Sequence, residues 1–343
     1  LRLCRCLRES FPGVGANMNR RSLIGFGAVA LAAVKARASA QAPAMRAPLD
    51  PSETIRLWPD APPGKPNSEI PMRIVETSPQ PDVFHNRQVT GVAQPLLAVF
   101  RPAAPEGSAV LILPGGGYQR LAVDVEGYDV ARVLNESRIT AFVLTYRLPH
   151  EGWQDAPDVP LQDAQRAMRL IRANAARFSI QPARVGVIGF SAGGHLAASL
   201  ATRSDAQVYQ PLDAADAESA APACAGLLYP VITMLPPFAH EASRAQLLGD
   251  NPSSELRAAY SCERLVTRKT PACFIALADD DPDVPPDNSF EMLASLRAAH
   301  VPSELHLFSE GGHGFGLAVG EPAGAWPSLF VRWARTHGLL GGT

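Results

Sequence analysis

The chain has 343 residues, 46% hydrophobic and 19% charged, a globular composition long enough for one large α/β domain or two small ones. Its formal net charge of −2 hides an asymmetry: residues 1–40 carry seven basic residues against Glu9 alone, which leaves 24 basic and 32 acidic residues elsewhere, a balance of −8. That sign argues against nucleic acid or an anionic membrane as a partner.

Residues 1–17 read as sequence upstream of a start at Met18, or as an alternative start codon taken literally. The stretch MNRRSLIGFGAVALAAVKARASAQA, residues 18–42, has a basic start, a short apolar run and a small-residue site at Ala38, Ser39 and Ala40. It reads as an export signal cleaved after Ala40. Its apolar run, residues 23–34, is shorter than the roughly 20 residues that span a bilayer, so no stable membrane anchor is expected. The Arg20-Arg21 pair and the basic Lys35 and Arg37 resemble a twin-arginine signal and point to a periplasmic or secreted protein. Past Cys4 and Cys6, the remaining cysteines are Cys224, Cys262 and Cys273, an odd set without metal spacing. Cys273 lies in an apolar run and reads as a buried hydrophobe.

Residues 41–81 are rich in proline and polar residues and read as an extended lead-in. Apolar runs then alternate with stretches of helical periodicity. The strands are expected at 95–101, 108–114, 139–147, 184–190, 226–232, 272–278 and 303–308. The helices are expected at 124–137, 160–178, 192–202, 287–300 and 326–338. Near-continuous apolar strands separated by helices predict a mostly parallel sheet covered on both faces, an α/β fold in one domain over residues 82–343. Residues 204–223 are acidic and Ala-rich without a period; they read as an excursion, a surface loop or a cap over a site.

Three glycines, Gly115, Gly116 and Gly117, follow the second run. They let backbone N–H groups turn toward a developing oxyanion, whereas a P-loop would need a Lys-Ser/Thr pair that is absent here. The string GFSAG, residues 189–193, falls between a strand and a helix. This is the setting of a nucleophile elbow, with Ser191 as nucleophile and the N–H of Ala192 completing the oxyanion hole. His195 sits one helical turn on and reads as structural. Between the sixth and seventh strands comes a dense run of acids, Asp279, Asp280, Asp281 and Asp283, where an orienting carboxylate is required. A calcium loop starting at Asp279 fails at its sixth and twelfth positions, Val284 and Phe290. The following helix is expected to be capped near Asp287. His313, flanked by glycines after the last strand, completes the chain order Ser, Asp, His as general base.

With these residues in place the chain resembles the α/β-hydrolase superfamily, and within it secreted acetylxylan-esterase-like carbohydrate esterases of bacteria. The resemblance runs from residue 57 to the end, through PGGGYQRLAVDVEG, TYRLP, GFSAGGHLAAS, DDPDVPPDNS and ELHLFSEGGHGFGL. It implies the α/β-hydrolase fold and ester hydrolysis without cofactor or metal. It also implies a triad of Ser191, His313 and Asp281, the acid three residues before Val284-Pro285, with Asp280 the nearest competitor for the acid and Asp279 the next; the acids not used, Asp283 among them, read as a solvated rim. The oxyanion donors would be Gly116, Gly117 and Ala192, and the substrate a small ester or an acetylated xylan or xylo-oligosaccharide. Tyr118, Glu126 and Trp153 are candidates for a sugar site. A broad short-chain carboxylesterase is the alternative. A serine peptidase of the prolyl-oligopeptidase type would bring a β-propeller, which we do not expect before residue 95, and a lipase would bring an apolar lid.

Overall fold

The apolar runs form strands because each side chain in them finds a buried neighbour on one face of a sheet or the other. In a computed structural model that describes residues 50–340 except 52, eleven strands are found. They are β1 (Thr54–Arg56), β2 (Arg73–Glu76), β3 (Arg87–Thr90), β4 (Leu96–Phe100), β5 (Ala109–Leu113), β6 (Leu121–Ala122), β7 (Thr140–Thr145), β8 (Val185–Phe190), β9 (Cys224–Leu228), β10 (Ala272–Ala278) and β11 (Ser303–Phe308). The expected export segment, its cleavage point after Ala40, and Cys4 and Cys6 lie outside the described residues.

Eight strands form one sheet in the order β1-β4-β7-β5-β8-β9-β10-β11. From β7 to β11 every pairing is parallel, and β4 is antiparallel to both its neighbours. Every residue of β5, β7, β8 and β9 is buried, so both faces of the sheet centre are covered. Each large aliphatic side chain there contributes about 1.5–3 kcal/mol by leaving water. Cys224, Cys262 and Cys273 are buried free thiols.

The helices are α1 (Asp129–Glu136), α2 (Val159–Ala173), α3 (Ala175–Phe178), α4 (Ala192–Thr202), α5 (Glu241–Leu248), α6 (Ser254–Ala259), α7 (Asp287–Ala298) and α8 (Trp326–Thr336). None among the described residues is long and apolar enough to cross a membrane. Several boundaries depart from the sequence reading: the stretch 160–178 is broken at Asn174 into α2 and α3, and the strand expected at 139–147 ends at Thr145. The run 226–232 leaves the sheet after Leu228, because Tyr229 takes a left-handed φ of 35°. The 124–137 stretch opens with a π-helical turn, Asp124–Tyr128, before α1. Asp287 does not cap α7: Pro286 holds the cap position, and Asp287 sits in the first turn, where its charge suits the helix dipole.

In the lead-in, β1 adds an edge strand to the sheet, and Leu57 and Trp58 are buried in the core. The 204–223 excursion packs on α2. Asp213 and Asp216 pair with Arg166 at 2.6 and 3.0 Å, and Tyr209 meets Trp58 edge-on at 5.1 Å. A second, antiparallel sheet, β2-β3-β6, joins the hairpin β2-β3 to the segment after the glycine run.

Candidate active site

In a parallel sheet the loops at the carboxyl ends of the strands share one edge, and here β5, β8, β10 and β11 deliver the candidate residues to it. Ser191 follows β8 directly and adopts φ 52° and ψ −119°, outside the common regions for an L-residue. Such a conformation costs on the order of 1–3 kcal/mol and persists only where its surroundings enforce it. They do: its N–H donates to Leu228 O at 3.0 Å, and its carbonyl accepts from Val231 N–H at 3.0 Å. The turn also needs its glycines. A Cβ on Gly189 would lie 2.0 Å from Gly193 O, and one on Gly193 would lie 2.1 Å from Leu113 O.

His313 Nε2 lies 2.8 Å from Ser191 Oγ and its Nδ1 lies 2.7 Å from Asp281 Oδ2. A carboxylate only accepts, so Nδ1 carries the ring proton and Nε2 is left to accept from the serine hydroxyl. Asp281 Oδ1 accepts from the N–H groups of Asp283 and Val284, both at 2.9 Å. Burial pushes the Asp281 carboxyl up, but the His313 hydrogen bond and those two N–H donors outweigh it. They hold the group below its ordinary value, so it is ionised at neutral pH.

The neighbouring acids do more than form a rim. Asp280 Oδ1 accepts from Gly312 N–H at 2.8 Å and so fixes the residue before the histidine, and Asp283 faces the cleft. Gly116 and Gly117, with φ of 123° and 67°, line the same cleft. Among the described hydrogen bonds, no protein acceptor takes the N–H of Gly116, Gly117 or Ala192. Ala192 opens α4, whose first N–H groups have no partner within the helix.

The cleft measures about 480 Å³. Besides Ser191 and His313 it is lined by the amides Asn86, Gln88, Gln119 and Gln246, by Arg120 and by Glu126. Arg120 donates to Gln88 Oε1 at 3.1 Å and to Gln119 Oε1 at 3.4 Å. Two of the sugar-site candidates are elsewhere. Tyr118 is 1% exposed with its hydroxyl 2.8 Å from His195 Nδ1, and the Trp153 ring lies under the Arg147 guanidinium at 4.7 Å. His195 is structural: Nε2 lies 2.7 Å from Tyr260 O and therefore donates, so Nδ1 accepts from Tyr118. Burial pushes its pKa down to about 4.

None of the described lining residues comes from the 204–223 excursion. The segment beside the cleft is α5 with His240, which the sequence reading missed because EASRAQLL shows no apolar stripe. Asn86 and Gln88 were missed for a similar reason: β3, RQVT, is four residues long with one apolar member. Among the described residues no group of three or more His, Cys, Asp or Glu is placed to hold a metal ion.

The sequence matches the BD-FAE family over residues 97–296. It is 34% identical over 227 residues to an acetylxylan esterase of Xylanibacter ruminicola, covering 65% of this chain and 44% of that protein. It is 32% identical over 263 residues to endo-1,4-beta-xylanase B of Butyrivibrio fibrisolvens, covering 77% and 41%. The chain thus spans less than half the length of these curated relatives. Among solved structures, the acetyl ester-xyloside bifunctional hydrolase of Caldicellulosiruptor lactoaceticus superposes with a TM-score of 0.70 at 34% identity, covering 85% of this chain and 99% of that one. The fold is that of the α/β-hydrolase esterases.

Proposed function

The chain belongs to the BD-FAE family of α/β-hydrolases, and from that premise we propose that it is a serine carboxylic-ester hydrolase that removes acetyl groups from acetylated xylan or xylo-oligosaccharides. The observation that carries the reading is the unbroken hydrogen-bond chain Ser191–His313–Asp281, at 2.8 and 2.7 Å, at the wall of a polar cleft.

In this reading Ser191 Oγ attacks the acetyl carbonyl carbon while His313 Nε2 takes the hydroxyl proton. Asp281 holds the tautomer and stabilises the imidazolium. The negative charge gathering on the carbonyl oxygen is met by the N–H groups of Gly116, Gly117 and Ala192, where one donor is typically worth about 3–4 kcal/mol. His313 gives its proton to the departing sugar alkoxide, leaving an acetyl-enzyme. Water, deprotonated by the same histidine, attacks that ester and releases acetate and Ser191.

The carbohydrate reading draws its support from the lining of the cleft, where four amides and a guanidinium offer donors and acceptors to hydroxyl groups, and from the relatives above. An export signal cleaved after Ala40 would bring such an enzyme to a polymer outside the cytoplasm.

Acetate release from acetylated xylo-oligosaccharides, measured beside turnover of 4-nitrophenyl acetate, butyrate and octanoate, tests the assignment. We expect acetate to be released from the oligosaccharide, and rates on the synthetic esters to fall with acyl length. Preference for octanoate, or no release from the oligosaccharide, would favour a broad carboxylesterase instead.

A further inference from the structure

Glu126 is a buried carboxyl, 4% exposed, in the π-helical turn that precedes α1, and the cycle above gives it no task. Both of its oxygens are occupied by donors. Oε2 accepts from Gly115 N–H at 2.8 Å, and Oε1 accepts from the Tyr229 hydroxyl at 2.9 Å. The Tyr229 oxygen in turn accepts from Gly316 N–H at 3.1 Å. Gly115 opens the glycine loop beside Ser191, and Gly316 closes the loop that carries His313. One carboxyl and one phenol therefore join the two loops that must agree in position for the oxyanion donors and the base to face the same carbonyl.

Tyr229 is held firmly enough to transmit that register. It takes a left-handed φ of 35°, donates its N–H to Ala276 O at 2.7 Å, and packs edge-on against Phe315 at 4.4 Å and His313 at 5.2 Å. The chemistry also explains why a carboxylate stands here rather than an amide. The Tyr229 oxygen accepts from Gly316, so its own proton must point at Glu126, and every recorded partner of Glu126 is then a donor. A glutamine would turn an NH₂ toward one of them, leaving a buried donor unmatched, at a cost of about 1–3 kcal/mol.

We propose that Glu126 and Tyr229 are positioning residues that lock the oxyanion loop to the general-base loop. The proposal rests on the triad reading of the previous section. A bridge of this kind acts on the transition state, since a displacement of about 1 Å at the reacting atoms can cost on the order of 100-fold in rate. Burial pushes the Glu126 carboxyl up, while the Tyr229 and Gly115 donors and the charges of His313 and Arg120 oppose that; its ionised form thus adds to the Asp281 charge felt by His313, which His240 and Tyr229 also face.

The test compares wild type, Y229F, E126Q and the double variant on 4-nitrophenyl acetate, with Ser191→Ala as the control and thermal unfolding measured for each. Y229F keeps the ring against His313 and removes only the hydroxyl. We expect kcat to fall by about 10- to 100-fold in Y229F and in E126Q with KM nearly unchanged. The double variant should be no slower than E126Q, because both changes break one bridge. E126Q alone should move the acid limb of the kcat/KM profile to lower pH, because removing a negative charge near the imidazole favours its neutral form. Wild-type kcat in Y229F, or losses that multiply in the double variant, would overturn the bridge. Turnover surviving in Ser191→Ala would instead overturn the triad reading, so the two failures are distinct. Should E126Q fail to fold, the kcat and KM of Y229F still decide.

Discussion

Around Arg147 the charged groups are matched, although the Trp153 Nε1 beside its guanidinium has no acceptor among the described residues. Its Nε and Nη2 donate to Asp163, Nη2 also donates to Gln162 Oε1 and Nη1 donates to Pro63 O, while Trp58 Nε1 donates to the same Asp163. Arg147 and Asp163 side chains have no exposure at all. Around Ser191 the matching is one-sided: the serine is strained, the N–H groups beside it lack protein acceptors among the described residues, and Asp281 and Glu126 are met by His313 and by neutral donors rather than by an Arg or Lys. The first region ties the lead-in and α2 to β7 and is complete without a ligand. The second is complete only when a reacting group takes up the missing charge and hydrogen bonds, which is where shifted titrations and unspent polar capacity are expected to gather. Both networks turn on an Asp carboxylate that accepts from several donors, so the difference between stabilising and reacting lies in what is left unpaired.

Substitutions can break this contrast from either side. The largest effect belongs to Asp281→Asn. It leaves the packing intact but its amide can no longer serve as acceptor to every donor around it, and kcat should fall ~10⁴-fold with unfolding little changed. Stopped-flow or steady-state turnover beside a denaturant titration would show both. Asp163→Ala is the mirror case. It strands a buried guanidinium and should cost about 3–5 kcal/mol of stability, with kcat of the folded fraction unchanged. An activity loss there without a stability loss would erase the distinction.

His195 sharpens the contrast, because it lies four residues from Ser191 yet belongs with the matched groups. Burial holds its pKa at about 4, against 6.5 for the free side chain. Below pH 6.5 the unfolded chain therefore takes up a proton that the folded one refuses, and stability falls as pH drops from 6.5 toward 4. The loss is about 3 kcal/mol at most, and His240, also lowered by burial, acts in the same direction. Urea unfolding at several pH values should show that slope, and replacing His195 by Gln should flatten it. The smallest effect is expected from Asp280→Asn, whose side-chain oxygen can still accept from Gly312 N–H. Turnover should drop only by about two- to fivefold, a loss of well under 1.4 kcal/mol. A larger loss than in Asp281→Asn would reverse the assignment of the acid.

The parts of the molecule that were legible in the sequence are those whose cause is local. Residues 272–278 and 303–308 are strands with the expected limits, the first a nearly continuous buried run that needs no distant partner to be recognised, the second a partly exposed edge strand whose Leu and Phe residues still mark it. The GFSAG turn announces itself through the glycines that its backbone crossing demands. Elements whose cause is remote were not visible. Strand β2, RIVE, is exposed throughout and shows no alternation, and α5 has no apolar face. The Glu126–Tyr229 contact joins residues 103 apart and leaves no local pattern. The acidic run 279–283 stands between these cases: its density suggested one working acid among solvated neighbours, and only the fold revealed that Asp280 holds the loop of His313.

The central claim is that Ser191 Oγ is the nucleophile of the reaction, activated by His313. Reaction with a small fluorophosphonate followed by intact-mass measurement and peptide mapping tests it most directly. The account predicts one adduct per chain, on Ser191, absent in Ser191→Ala and formed far more slowly in His313→Ala. Labelling of another residue, or ester turnover that survives full labelling of Ser191, would contradict it.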